Sequence, residues 1–172
     1  KFGYYYSNIY PDDKDSFRKC EICDYAFYGC SGFKGDLTLY NVSYIGKYAF
    51  FQCGFTGSLS IPYCTIDDYA FYGCSGFRGS LTFDKTNYDV YSNYNKGDFE
   101  IGRYAFYRCS GLRGPLKIPY QYHVINDYAF YGCSGFNSLE FENYSDTNKH
   151  CNIYSIGSYA FFNCNKVSGE LK

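Results

Sequence analysis

A tripeptide Tyr-Ala-Phe, with Cys three residues after the Phe, recurs along the whole chain and constrains its fold more than any other feature. The centres of the copies are Ala26, Ala49, Ala70, Ala105, Ala129 and Ala160. Three of the intervals are about 21 to 24 residues, the length of one solenoid coil, and the other two are lengthened by insertions. A single coil cannot bury its own apolar side chains. The copies are therefore predicted to stack.

Each copy also contains a short segment in which apolar and polar residues alternate. These segments are residues 37–39, 59–61, 81–83, 116–118 and 139–141. Alternation turns two side chains inward and one outward, as in a half-buried strand. We expect the segments to pair side by side as a parallel sheet on one face of the stack.

The Tyr-Ala-Phe segment is predicted to form a short helical turn on the opposite face. Ala26, Cys30 and Phe33 have the spacing i, i+4 and i+7, which places them on one side of a helix. The residue before each Tyr is often one that caps helices, as at Asp24, Asp68, Asp127 and Ser158. The fold class expected is an α/β solenoid of six stacked coils.

The domain organisation follows from the repeats. Residues 21–172 are interpreted as the solenoid, with a truncated last copy and loop insertions at 84–100 and 142–155. Residues 1–20 are interpreted as a lead-in that ends a preceding repeat. The chain lacks Met, starts at Lys1 and stops at Lys172, so we expect a piece of a longer protein.

Composition excludes several classes of partner. The net charge is -1, from 16 basic and 17 acidic residues, and no cluster of positive charge suits a nucleic acid. No apolar run reaches the roughly 18 residues that a membrane span needs, so no membrane insertion is expected. The two His, His123 and His150, have no catalytic or metal-binding pattern around them. We therefore predict no enzyme activity, metal site or cofactor.

The ten Cys suggest a disulfide scaffold until their positions are considered. Six occupy the same motif position, which predicts free, buried thiols. Cys64 and Cys151 lie outside that position and are expected to be the more reactive. Cys20 and Cys23 have a half-zinc spacing without a second pair, so an incidental or disulfide-bonded pair is the favoured interpretation.

The residues Leu59-Ser60-Ile61-Pro62, with Ile45-Gly46-Lys47-Tyr48-Ala49-Phe50 and Cys53, carry a family resemblance. This pattern resembles the BspA-like leucine-rich repeats of bacterial and protozoan surface antigens. The resemblance implies an α/β leucine-rich-repeat solenoid, located at the cell surface or secreted. It also implies a binding scaffold for adhesion to a host protein or glycan. A passive structural spacer that presents another domain is the alternative.

Two surfaces are candidates for binding. The first is the outward row of the predicted sheet and the residues beside it, namely Asp36, Thr38, Tyr40, Ser58, Ser60, Ser80, Thr82, Lys117 and Glu140. Solenoids commonly bind through such a surface, although Ser and Thr also simply suit an exposed sheet. The second is the pair of inserted loops, with Tyr88, Tyr91, Asn93, Tyr94, Tyr144, His150 and Tyr154.

Two further features can be interpreted either as parts of a functional surface or as ordinary structural features. Tyr25 with Tyr28, and their equivalents in later coils, form a tyrosine ladder that suits an interface and equally suits packing between coils. Asn41 and Asn143 each begin a glycosylation sequon.

A pair of charge substitutions tests this register. Ala105→Glu should force a carboxylate into the core and cost several kcal/mol of stability, whereas Lys117→Glu keeps its charge in water and should cost far less. Urea denaturation of the two variants measures the difference. Equal damage from both would contradict the assignment of inward and outward positions.

Overall fold

Two short strands form in each of the first five repeats, because both the Leu-x-Ile segment and the Ile before Tyr-Ala-Phe are extended. The structure is a computed structural model that describes residues 20–84, 99–142 and 153–168. Its strands are β1 Cys20–Ile22, β2 Leu37–Thr38, β3 Val42–Ile45, β4 Leu59–Pro62, β5 Thr65–Ile66, β6 Leu81–Asp84, β7 Phe99–Ile101, β8 Gly114–Ile118, β9 Tyr122–Ile125, β10 Phe136–Phe141 and β11 Ser155–Ile156.

All strand pairs are parallel, as the repeat predicts. The strands before the Tyr-Ala-Phe motif form a six-stranded sheet in the order β1-β3-β5-β7-β9-β11. The Leu-x-Ile strands form a three-stranded sheet, β2-β4-β6, and a two-stranded sheet, β8-β10. The register is set by equivalent residues, so that Ile45 lies beside Ile66 and Ile66 beside Ile101. The chain thus makes about five turns of a parallel solenoid.

The core lies between the sheets and the Tyr-Ala-Phe segments. In the inner coils the motif Ala, Phe and Cys are all buried, as are Ala105, Phe106 and Cys109, each with no exposed surface. The side chain of Lys117 on β8 is 55% exposed. The inward and outward positions predicted from the repeat are confirmed for the inner coils, whereas Ala26 in the first described coil is exposed.

The expected helical turns on the second face are wrong, since the described residues contain no helix. Each motif Tyr has a left-handed backbone, with φ between 56° and 59°, which a helix does not tolerate. The residue four positions later is also left-handed, as at Gly29 and Gln52. The segment is therefore a series of tight turns.

Hydrogen bonding explains why turns replace a helix. The amides of Tyr25, Phe27 and Gly29 donate to carbonyls of the next coil at 2.7 to 2.8 Å. The intervening amides of Ala26, Tyr28 and Cys30 donate three residues back along their own coil, at 3.1 to 3.3 Å. Half of the amides thus donate hydrogen bonds between coils. Ala and Cys, four residues apart, are both at positions whose amides bond within their own coil.

The acidic residues before the Tyr do not cap helices, which corrects a second expectation. The Oδ1 atoms of Asp24, Asp68 and Asp127 accept hydrogen bonds from the backbone amides of Lys47, Arg103 and Ser158, at 2.7 to 2.8 Å. Each carboxylate therefore joins its own coil to the next one.

These carboxylates give the stack a period of two coils. The coils that accept them have Gly immediately before the bonded residue, at Gly46, Gly102 and Gly157. A Cβ at Gly102 would lie 2.5 Å from the backbone nitrogen of Asp68, so a larger residue does not fit. Coils with Asp and coils with Gly alternate for this steric reason.

Gly102→Ala should destabilise the chain by about 1 to 3 kcal/mol, because the methyl group overlaps backbone atoms of the preceding coil. Gly32→Ala is the matched control, since a Cβ at Gly32 meets nothing within 4 Å. Urea denaturation should leave the control within about 0.5 kcal/mol of the parent. A stable Gly102→Ala variant would refute the close approach of these coils.

Candidate binding surfaces

The three-stranded sheet presents the outward row that the sequence predicted. Thr38 pairs with Ser60, and Ser60 with Thr82. Behind them Leu37, Leu59 and Leu81 are buried. The row is therefore a line of small hydroxyl side chains, and buried leucines pack behind it.

Lys117 and Glu140 continue this face on the two-stranded sheet but bind each other. Lys117 Nζ lies 3.1 Å from Glu140 Oε2, and both side chains are about half exposed. Between β6 and β8 the amide of Arg113 donates to the carbonyl of Gly79 at 2.8 Å. The structure thus places the predicted residues on one side of the solenoid, in two sheets.

The residues beside the row serve mainly to hold the coils together. Asp36 Oδ1 accepts a hydrogen bond from the Ser58 amide at 2.7 Å. The Ser80 carbonyl accepts one from the Leu59 amide at 2.8 Å. Tyr40 is half-buried just after β2.

The loop candidates are almost all outside the described residues. This applies to Tyr88, Tyr91, Asn93, Tyr94, Tyr144, His150 and the sequon residue Asn143. Tyr154 is described: it is 69% exposed, its amide donates to the His123 carbonyl at 2.7 Å, and its ring meets the His123 ring edge-on at 4.8 Å. Asn41 lies between β2 and β3 with a left-handed backbone, φ 54°.

The second face carries two parallel columns of aromatic rings. The first aromatic ladder consists of Tyr25, Tyr48, Tyr69, Tyr104, Tyr128 and Tyr159, with ring centroids 4.7 to 5.1 Å apart. The second aromatic ladder consists of Tyr28, Phe51, Tyr72, Tyr107, Tyr131 and Phe162, with centroids 4.7 to 5.2 Å apart.

Neighbouring rings in both ladders lie within 20° of parallel. Their faces are therefore covered by the next coil, and partial burial raises the pKa of Tyr48 and Tyr69. What the inner rungs offer a ligand is ring edges and phenol hydroxyls. The tyrosine ladder therefore packs neighbouring coils together. A ligand cannot stack on the faces of its inner rings.

A polar groove of about 570 Å³ runs beside the second aromatic ladder. Its lining includes the ladder residues Tyr72 and Tyr131 and the serines Ser75, Ser110 and Ser134. From the second coil onward, the left-handed residue that follows each ladder position also lines the groove. Along the stack these residues are Gln52, Gly73, Arg108, Gly132 and Asn163.

Sequence reasoning missed this groove, although a signal was present. Gly occupies the left-handed position in the Asp-bearing coils, at Gly29, Gly73 and Gly132, while the other coils have a long or amide side chain. Comparing the copies in pairs, rather than one by one, would have revealed this alternation.

The family assignment rests on a model of the repeat. A family model described as a BspA type leucine-rich repeat region matches residues 15–96 and 99–170, in six copies. The chain belongs to this BspA-type leucine-rich repeat family. No curated protein and no solved structure matches it.

BspA-type repeats are generally scaffolds for protein interaction or surface adhesion. Within the described part of this member, no helix is long and apolar enough to cross a membrane. The same residues contain no cluster of three His, Cys, Asp or Glu that could hold a metal ion. Cys20 and Cys23 are exposed free thiols.

The cysteine column of this BspA-type solenoid has a structural role. The Cys74 thiol donates to the Phe50 carbonyl of the preceding coil at 2.9 Å, and Cys53 and Cys109 repeat this bond at 3.0 and 3.1 Å. Burial raises the pKa of Cys53 to about 11 and that of Cys74 to about 12. The free, buried thiols predicted for this column are confirmed at these positions.

Cys64 corrects an expectation, because it is not a reactive thiol. It is fully buried, and burial raises the pKa of its thiol well above the usual range. A low pKa and exposure are what make a thiol reactive. Its carbonyl accepts a hydrogen bond from the buried Tyr122 hydroxyl at 2.9 Å. Cys151 lies outside the described residues.

The raised thiol pKa values predict that stability falls in alkali. Above pH 9 the unfolded chain releases the Cys74 proton, while the folded chain keeps it up to about pH 12. The folded state then binds more protons, so each such thiol should remove about 1.4 kcal/mol per pH unit in this window.

Cys74→Ala isolates one thiol, because both proteins share every other titrating group. Urea denaturation under reducing conditions should show the parent's advantage over the variant narrowing from pH 9 to pH 11. A constant difference over that range would mean that Cys74 titrates normally in the folded chain.

Proposed function

We propose that this chain is a cell-surface or secreted scaffold that binds a protein through the outer face of its β2-β4-β6 sheet, in the service of adhesion. The observation that carries this proposal is the in-register row Thr38, Ser60 and Thr82. The solenoid is proposed to span residues 21–172, after a lead-in at 1–20.

Small hydroxyl side chains suit this role because they let a partner approach the sheet closely. They lose little conformational entropy on binding, and each offers both a donor and an acceptor. The buried Leu residues behind them keep the row straight. Rigid surfaces bind with a smaller entropic cost than mobile ones.

The Lys117–Glu140 pair lies at one side of this row and contributes specificity rather than affinity. Both groups are about half exposed, and exposed pairs contribute only about 0 to 1 kcal/mol. Tyr154 and the loop residues proposed as contacts lie in or beside the long connections between the two strand layers. They supply the part of the surface that differs most from coil to coil.

The triple variant Thr38→Arg, Ser60→Arg, Thr82→Arg should weaken binding to the chain's protein ligand by at least about tenfold, because three long charged side chains block the row. Biolayer interferometry against a panel of purified extracellular-matrix proteins provides the measurement. The matched control is Thr56→Arg, an exposed residue outside the row.

The two variants also separate binding from the spacer alternative. Circular dichroism should show both variants folded, because all four positions lie outside the buried core. If the triple variant leaves binding and adhesion of the parent protein unchanged, the sheet face is not the binding surface and the spacer is favoured.

A further inference from the structure

We infer that the polar groove beside the second aromatic ladder is a second binding site, which takes an extended β-linked polysaccharide with one disaccharide unit for every two coils. The groove is on the Tyr-Ala-Phe side of the solenoid and shares no residue with the sheet-face row. It therefore adds a site of different chemistry to the proposed scaffold.

The direction and the period of the groove suit a linear polymer. It follows the stack from Gln52 in the second described coil to Asn163 in the last. Long polar side chains recur at every second coil, about 10 Å apart, since neighbouring parallel strands are about 4.8 Å apart. A β-1,4-linked glycan is a straight ribbon whose disaccharide repeat is about as long as two coils.

The backbone at these positions has a conformation that favours Gly. Gln52, Arg108 and Asn163 are left-handed, with φ 52°, 56° and 61°. A residue with a Cβ is strained in this conformation. The alternate coils avoid that strain with Gly73 and Gly132. The fold alone does not require a side chain here, which points to a use for it.

The polar ends of Gln52 and Asn163 remain available, whereas the Arg108 guanidinium lies over the Tyr107 ring, 5.4 Å from its centroid. The Gln52 Cγ lies 3.2 Å from the ideal Cβ position of Gly73, and the Arg108 Cγ lies 3.4 Å from that of Gly132. Each stem thus extends over the glycine of the following coil. Within the described ranges the side-chain amides of Gln52 and Asn163 make no hydrogen bond, and both side chains are exposed.

The chemistry of the walls favours sugar over peptide. Three serines and two tyrosines of the lining carry hydroxyls, which suits a polymer that is rich in hydroxyls. Proline-rich peptides instead need exposed aromatic faces, and here the faces are covered by neighbouring rungs. Arg108 is the charged residue of the lining, so neutral or uronic-acid sugars fit.

The test uses isothermal titration calorimetry with three probes: cellohexaose, a hyaluronan decasaccharide and maltohexaose. The first two are extended and β-linked, and the third is an α-linked, curved control. We expect the whole chain to bind at least one extended probe at millimolar or lower concentration, and to bind maltohexaose at least about tenfold more weakly.

The double variant Gln52→Gly, Arg108→Gly removes the groove side chains but introduces the residue that the alternate coils already have. It should lose at least about tenfold in affinity for the extended probe while its melting temperature is unchanged or higher. Lys34→Ala, at an exposed residue that does not line the groove, should bind as the parent does.

Three results would overturn the inference. They are no binding of either extended probe, equal binding by the double-glycine variant, and preferential binding of a proline-rich peptide in this groove. A lower melting temperature of the double variant with unchanged sugar affinity would instead assign these side chains to packing. None of these results bears on the sheet-face row, because Thr38, Ser60 and Thr82 are unaltered.

Discussion

Residue-by-residue pairing between successive coils is the constraint on which the rest of this molecule depends. Every second amide of the Tyr-Ala-Phe segment donates to the next coil, so equivalent residues must lie one above another. Aromatic rings, Cys side chains and Ile side chains therefore form columns, in which each residue lies beside the equivalent residue of the neighbouring coil. The left-handed motif tyrosines cost energy, which stacking at 4.7 to 5.1 Å and the hydrogen bonds between coils offset. A repeat that pairs in this way is rigid without helices or disulfides among its described residues.

The same pairing decides which surfaces remain for a partner. Stacking covers the faces of the inner aromatic rings, so these ladders are poor platforms for a flat or apolar ligand despite a 24% aromatic composition. The cysteine column is likewise occupied by hydrogen bonds to carbonyls of the preceding coil. Surfaces are free where side chains point out from the stack, as at the hydroxyl row of β2, β4 and β6, or where alternate coils differ, as in the polar groove.

The period of two coils is seen in two places. An Asp carboxylate that reaches the next coil leaves room only for Gly there, since a Cβ at Gly46 would lie 2.5 Å from Asp24 Oδ1. In the groove the pattern is reversed, because the Gly-bearing coil supplies the long side chain and the Asp-bearing coil supplies Gly73 or Gly132. The molecule therefore presents a surface that repeats at about 10 Å rather than 4.8 Å. A linear polymer whose own repeat is close to this longer period fits the surface better than a polymer with a different repeat.

Periodicity alone determined the solenoid, the parallel strands, and the inward columns of Ala, Phe and Cys, because burial between identical coils allows little else. It also identified the Thr38, Ser60 and Thr82 row. The helical turns could not be excluded, since a spacing of four residues brings Ala and Cys to one side in a helix and in a series of turns alike. Only the tertiary structure decided between them, because the deciding hydrogen bonds join different coils. The groove at Gln52 and Arg108 and the burial of Cys64 also depend on contacts between residues of different coils, which no single copy of the repeat records.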